Sequence, residues 1–178
     1  MGVIEKVLSK CCLWGGDLLI FVCTGTQIFQ FNRLLMELDR LIESGVITEE
    51  VFAQTGKSDY QPQYYKNESF INPEKYEKLV ISSDFIITHG GTGAIVKALK
   101  AGKQTIAVPR QSKYNEHADD HQFQIVDFFA DNGYILQVVD ISELKIKLKE
   151  IKEHPIKKKF VGDGCIVEII DDFVQKNL

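Results

Sequence analysis

What the chain has little of narrows its class first. Four prolines and 13 glycines in 178 residues exclude collagen-like and proline-rich disordered proteins. There is no excess of one charge: 21 basic residues stand against 25 acidic ones, a formal net charge of −4. The field of the whole molecule therefore does not draw in nucleic acid. Long apolar runs are missing as well. The longest, Leu18 to Cys23, is six residues, against the roughly 20 that a membrane-crossing helix needs. Cys11, Cys12, Cys23 and Cys165 form no Cys-x-x-Cys pair, so free thiols in a reducing, cytoplasmic compartment are expected. A cleaved secretory signal is disfavoured: Asp17 interrupts the apolar stretch that follows Lys6 and Lys10, and no small-residue cleavage site comes after it. What remains is an ordinary globular mix, 44% hydrophobic and 26% charged, of a length that gives one domain with a full core.

Residues 1–17 differ from the rest. Val3, Ile4, Val7, Leu8, Cys11 and Cys12 recur at helical spacing before Trp14-Gly15-Gly16-Asp17 breaks the pattern. They read as an N-terminal extension, disordered or helical, ahead of a single domain over residues 18–178. From Leu18 the chain alternates strand and helix. Residues 18–23 form a buried-strand run, and Phe31, Leu34, Leu35, Leu38, Leu41 and Ile42 then fall on one helical stripe that stops near Gly45. Further strands are expected at 51–55, 84–88, 104–108 and 134–139, with a short one at 69–71. Helices are expected from the Asn72-Pro73-Glu74 start, over 94–101, from about 117 to 132, over 142–152 and over 164–177 with Asp163 as its cap. Such alternation predicts an α/β, doubly wound parallel sheet, Rossmann-like, with the strands' carboxyl ends along one edge.

That edge collects the residues with chemistry. His89-Gly90-Gly91-Thr92-Gly93 links a buried strand to a helix. Glycine backbone there lets a ligand approach the amides, and the uncapped N–H groups of a helix start favour a phosphate or diphosphate. A dinucleotide fingerprint fails because Val96 stands where glycine or alanine is required and no acidic residue lies between Asp84 and Glu116. A P-loop fails because Gly102-Lys103 is followed by Gln104. The segment from Pro109 to Gln122 faces the same edge. Arg110 and Lys113 are suited to phosphate charge, and Glu116, Asp119, Asp120, His121 and Gln122 to sugar hydroxyls. His117, Asp119 and Asp120 are the expected candidates for a catalytic base, with a residue from a partner as the alternative. His117 and His121 are four apart, but the His-Glu-x-x-His order is absent and no metal is expected. Gly25-Thr26-Gln27 closes the first strand on the same side. Lys145, Lys147, Lys149, Lys152, Lys157, Lys158 and Lys159 read as a solvated face, with anionic lipid headgroups as the alternative.

Taken together, Phe-Val-Cys-Thr-Gly-Thr-Gln (21–27), Phe-Asn-Arg-Leu-Leu (31–35), His-Gly-Gly-Thr-Gly (89–93) and Glu-His-Ala-Asp-Asp-His-Gln (116–122) resemble the carboxyl-terminal domain of glycosyltransferase family 28, one half of the GT-B fold. The likeness extends to small PssE-type subunits of bacterial capsule and exopolysaccharide glycosyltransferases. These in turn are similar to the catalytic subunit of the two-part enzyme that adds the second N-acetylglucosamine to a dolichol-linked sugar. The resemblance implies a UDP-sugar donor, no other cofactor, and transfer of a hexose of the galactose or glucuronic acid type, with inversion, to a lipid-linked saccharide. It also implies a membrane-anchored PssD-type partner and a location at the inner face of the cell membrane. It places the diphosphate on Gly90, Gly91, Thr92 and Gly93 with His89 beside it, donor sugar hydroxyls on His121 and Gln122, and Gly25, Thr26 and Gln27 along the cleft facing the partner. The pattern departs at Lys97, where many relatives carry a glutamate for the ribose; Glu116 is the expected replacement. A nucleotide-sugar epimerase and a non-catalytic nucleotide-sugar-binding regulator are the alternatives. A cleft between two such halves needs about twice this chain at typical domain sizes, so a second polypeptide is expected, docked on an apolar patch near the strand ends.

Overall fold

A computed structural model describes residues 18–118 and 121–160. The expectations for residues 1–17, for Asp119 and Asp120, and for the helix over 164–177 with its Asp163 cap lie outside the described residues. In chain order the elements are β1 (Leu19–Cys23), α1 (Asn32–Glu43), β2 (Glu50–Gln54), β3 (Lys66–Glu68), α2 (Pro73–Ser82), β4 (Phe85–Thr88), α3 (Thr92–Lys100), β5 (Gln104–Ala107), α4 (His121–Asp131), β6 (Leu136–Gln137) and α5 (Leu144–Glu153). Single 3-10 turns at Ser112–Tyr114 and Ile141–Glu143 precede α4 and α5. The strands form one sheet in the order β3-β2-β1-β4-β5-β6, and every recorded pairing is parallel. This is the doubly wound arrangement the alternation predicts, with the order reversing between β1 and β4.

The sheet is buried on both faces, and β1 shows how. All five of its residues are buried. Ile20 and Val22 point into a core shared with Leu34, Leu35, Leu38 and Leu41 of α1 and Leu148 and Ile151 of α5. Leu19, Phe21 and Cys23 point the other way, against Leu79 and Val80 of α2 and Ala98 of α3. Alternation at period two thus feeds two cores, which is why the strand reads as continuous rather than alternating hydrophobicity. A third cluster joins Ile95 and Leu99 of α3 to Val126 and Phe129 of α4. The predicted start of α2 holds: the Asn72 side chain accepts the Lys75 N–H at 2.7 Å, with Pro73 in the first turn.

Three local differences from the sequence reading have physical causes. The short third strand lies at Lys66–Glu68, not at 69–71; it is an edge strand whose Lys66 and Glu68 are exposed, so hydrophobicity does not mark it. The helix expected from 117 begins at His121, because the Glu116 N–H folds back on the Gln111 carbonyl and Asn115 takes φ +56°. The strand expected over 134–139 pairs only at Leu136 and Gln137. The lysine-rich stretch is largely engaged within the chain. Lys147 pairs with Glu150, Lys149 with Glu153 and Lys152 with Glu49, while Lys158 donates to the Asn132 carbonyl. Among the described residues no helix is long and apolar enough to cross a membrane.

Candidate functional site

In a doubly wound sheet the loops at the point of strand-order reversal part to opposite faces and leave a crevice. Here that point is between β1 and β4, and the loops leaving them carry Gly25 and His89–Gly93. At the end of β1 the Thr24 N–H and hydroxyl both donate to the Gln54 carbonyl, at 3.1 and 3.0 Å. The chain then turns through Gly25 at φ +84° and exposes Thr26, Gln27 and Ile28. At the end of β4 the His89 N–H donates to the Cys23 carbonyl at 3.1 Å. Gly90 follows at φ +89°, where an added Cβ would lie 2.6 Å from Val126 Cγ2. Gly91 is then the N-cap residue of α3.

No side chain caps α3, and its first backbone bonds run from the Ala94 and Ile95 N–H groups to the Gly91 carbonyl. The N–H groups of Thr92 and Gly93 stand ahead of them, at the positive end of the helix dipole. Thr92 is half-buried and Gly93 exposed, and a Cβ on Gly93 would meet nothing within 4 Å. The corner is therefore open above Gly93.

His89 forms the floor of this corner. Its ring is buried, and its Nδ1 lies 3.2 Å from the Cys23 carbonyl, which can only accept. The proton thus sits on Nδ1. Burial, then the charge of Arg110, push the imidazole down to about 4, so the ring is neutral near pH 7.

The segment after β5 departs from the sequence reading in an instructive way. Arg110, expected to meet phosphate charge, is fully buried. Its Nη1 donates to the carbonyls of Phe29, Gln30 and Glu116 at 3.1, 2.9 and 3.0 Å, and its Nη2 to that of Thr24 at 2.6 Å. The guanidinium also stacks on Phe31, 4.9 Å from the ring centre. Nη1 and Nη2 are both spent on backbone carbonyls, so the work of Arg110 is to hold the 24–30 loop rather than to touch a ligand. Burial lowers its pKa to about 10, which still leaves it charged at neutral pH. Glu116, expected to take hydroxyls, is fully buried too. Its carboxylate accepts Arg33 Nε and Nη2 at 3.0 and 2.9 Å and the Gln111 N–H at 3.1 Å. With both oxygens occupied it cannot stand in for the ribose-binding carboxylate missing at Lys97.

Arg33 is the residue that the sequence reading missed. It sits in the first turn of α1, where an arginine looks like ordinary helix surface. Its only signal was membership of the Phe-Asn-Arg-Leu-Leu string. Together Arg33, Arg110 and Glu116 set one ion pair, Arg33–Glu116, beside a second guanidinium, that of Arg110, which bonds to the Glu116 backbone carbonyl. Arg33 Nη1 and Arg110 Nε have no acceptor among the described residues.

Gln122 is buried and its Oε1 accepts the Arg110 N–H at 3.2 Å. His121 opens α4. His117 packs its ring 5.6 Å from that of Phe29. Lys113 is exposed on the 3-10 turn, its Nζ 4.8 Å from the Tyr114 ring centre. Lys97, in α3, lies over the ring of Tyr76 at 4.8 Å. The structure thus brings Gly25 and His89 to Gly93 into one corner and sets Arg110, Glu116 and Gln122 beneath it as a frame. Among the described residues no group of three or more His, Cys, Asp or Glu is placed to hold a metal ion.

A parallel sheet of this order, with helices between its strands and a glycine-lined helix start at its switch point, defines an α/β domain of the Rossmann-like class. Comparison with known proteins makes that class specific. Residues 19–162 match the model of the glycosyltransferase family 28 C-terminal domain, and the chain belongs to that family. It is 32% identical over 108 residues to the UDP-N-acetylglucosamine transferase subunit ALG13 of Cryptococcus neoformans, covering 56% of this chain and 50% of that protein. The chain spans about half the length of the curated relatives it matches. Among solved structures it is similar to ALG13 (TM-score 0.58, 19% identity, 86% of this chain and 94% of that one). It is also similar to MurG of Acinetobacter baumannii (TM-score 0.59, 18% identity, 95% and 52%). The fold is accordingly that of the C-terminal half of GT-B glycosyltransferases.

Proposed function

We propose that this chain is the donor-binding, catalytic subunit of a UDP-sugar-dependent glycosyltransferase that extends a lipid-linked saccharide together with a membrane-anchored partner. The observation that carries the reading is the uncapped start of α3 at the β1/β4 switch point, with glycine backbone on both flanks. A nucleoside diphosphate offers that corner an anion to which helix-start N–H groups can donate. The N–H groups of Thr92 and Gly93 meet it directly, and the buried Arg33–Arg110–Glu116 group adds an unbalanced positive charge beneath.

Transfer from a UDP-sugar breaks the bond between the anomeric carbon and the diphosphate, so negative charge grows on the departing phosphate oxygens. Fixed N–H groups aimed at that charge stabilise the transition state more than the ground state. The acceptor hydroxyl must lose a proton as it attacks, which calls for a base on the opposite side of the sugar in an inverting reaction. His117, whose ring lies 5.6 Å from that of Phe29, is one candidate. Asp119, Asp120 and a partner residue are the other candidates. His121, at the start of α4, is assigned to the sugar hydroxyls, with Gln122 next to it in the chain held on the Arg110 N–H as part of the frame.

The two-part arrangement is supported by the relatives. The chain aligns with nearly the whole of the solved ALG13 and with about half of MurG. A galactose- or glucuronic acid-type donor and a role in capsule or exopolysaccharide synthesis are the readings carried from the sequence. The name of the curated relative adds N-acetylglucosamine to the donors to be tried. Calorimetric titration with UDP, UDP-galactose, UDP-glucuronic acid and UDP-N-acetylglucosamine, followed by transfer assays with the co-expressed partner and a lipid acceptor, tests the proposal. Transfer that requires the mixture supports it. Full turnover by this chain alone, interconversion of free donor, or binding without transfer in the complete mixture would overturn it.

A further inference from the structure

We propose that His89 is a positioning residue whose ring, wedged between the Gly25 and Gly91 backbones, sets the width of the anion corner without donating to the anion. The inference rests on the reading that this corner takes a nucleoside diphosphate. The geometry behind it is steric. A Cβ built on Gly25 would lie 2.7 Å from both Cε1 and Nε2 of His89, and one built on Gly91 would lie 2.5 Å from Nε2. Distances that short are never occupied by real side chains, so both glycine backbones ride directly on the same edge of one imidazole. The ring in turn is fixed from behind. Its Nδ1 donates to the Cys23 carbonyl at 3.2 Å, and Thr88 Oγ1 stands 3.5 Å from the same nitrogen.

Two consequences follow from the tautomer and the contact. With the proton on Nδ1, Nε2 carries a lone pair and has no hydrogen to offer a phosphate oxygen. His89 therefore acts on the ligand through its volume: it spaces the end of β1 from the N-terminus of α3, and so aims the Thr92 and Gly93 N–H groups. The glycines also acquire a second reason. Gly91 has φ −66° and ψ 131°, a conformation open to any residue. Its backbone does not demand glycine; the His89 ring does.

This makes Gly91→Ala a clean probe, since the added methyl strains no dihedral and its three nearest neighbours are all atoms of the ring. We expect Gly91→Ala to lower the melting temperature and to weaken UDP by about tenfold, the value of one misaimed charge-assisted contact, while uridine binding is unchanged. In a His89→Ala background, adding Gly91→Ala should cost nothing further in melting temperature, and His89→Ala itself should weaken UDP but not uridine. Equal damage from Gly91→Ala in both backgrounds would overturn the wedge, as would equal losses for UDP and uridine. If His89→Ala does not fold, His89→Asn, whose amide N–H can still reach the Cys23 carbonyl, serves as the background. Nitrogen-15 shifts of the unmutated protein at pH 7 read the ring directly: the Nδ1–H tautomer is expected, and an Nε2–H or doubly protonated ring would overturn the proposal. Failure of the unmutated protein to bind UDP at all would instead sink the functional reading, while the melting-temperature cycle would still report on the wedge.

Discussion

Glu116→Gln offers the sharpest test of the frame beneath the corner. The carboxylate is fully buried and accepts two N–H groups from Arg33 and one from Gln111, while the Arg33 side chain is 12% exposed. An amide keeps one acceptor, turns an N–H₂ group toward a guanidinium, and leaves Arg33 and Arg110 as buried cations with no anion. Breaking a buried pair from one side costs about 3–5 kcal/mol, because the surviving charge stays desolvated. At the ~2–4 °C per kcal/mol expected for a chain of this size, the melting temperature should fall by about 6–20 °C. Urea denaturation with an unchanged m-value, alongside calorimetry, reads the loss. Arg33→Met combined with Glu116→Gln removes one of the orphaned charges, so the pair should recover at least about 1 kcal/mol relative to additivity. A loss below about 1 kcal/mol for Glu116→Gln alone, the scale of a solvated surface pair, would refute the buried-frame argument.

Three further outcomes follow from other parts of the molecule. His89 is held near pKa 4 in the fold against 6.5 in the unfolded chain, so the unfolded state binds more protons between those values. Stability should be full above about pH 6.5 and fall by up to about 3 kcal/mol toward pH 4. His89→Gln should flatten that slope in urea melts, and an identical slope would exclude His89 as its source. Asp39, buried in α1, accepts the Tyr60 hydroxyl and the Gln63 and Tyr64 N–H groups at 2.7, 2.9 and 3.1 Å. Asp39→Asn should cost about 2 kcal/mol and let Tyr60, pushed up to about 12 chiefly by that bond, titrate nearer the ordinary tyrosine range in ultraviolet absorbance. Asn72→Ala removes the cap of α2 and should cost about 1 kcal/mol in denaturant, with no change in UDP affinity because the helix start lies outside the corner.

The relation of Arg110 and Gly91 to the sequence shows where reading residues in order succeeds and where it stops. Both lie in strings that stand out by eye. Their placement at the strand-end edge was legible because parallel strands with right-handed crossovers must end together. Their roles were not. Whether a guanidinium faces a phosphate or four backbone carbonyls depends on the 24–30 loop, which comes from the other end of the domain. Whether a glycine answers to a ligand or to a neighbouring ring depends on how far apart two loops are held. The edge strand at Lys66–Glu68 was missed for a related reason: a strand paired on one side and solvated on the other need not be apolar.

By itself, then, the sequence determined the layered α/β architecture, the two-sided burial of β1, the cap of α2 and the identity of the edge where the glycines gather. These are consequences of periodicity and local backbone chemistry, which act within a few residues. Only the tertiary structure decided that Arg33 and Glu116, 83 positions apart, neutralise one another, that Arg110 is a brace, and that one imidazole spaces two loops. Those facts arise from desolvation and close packing between segments distant in the chain, and no local pattern carries them.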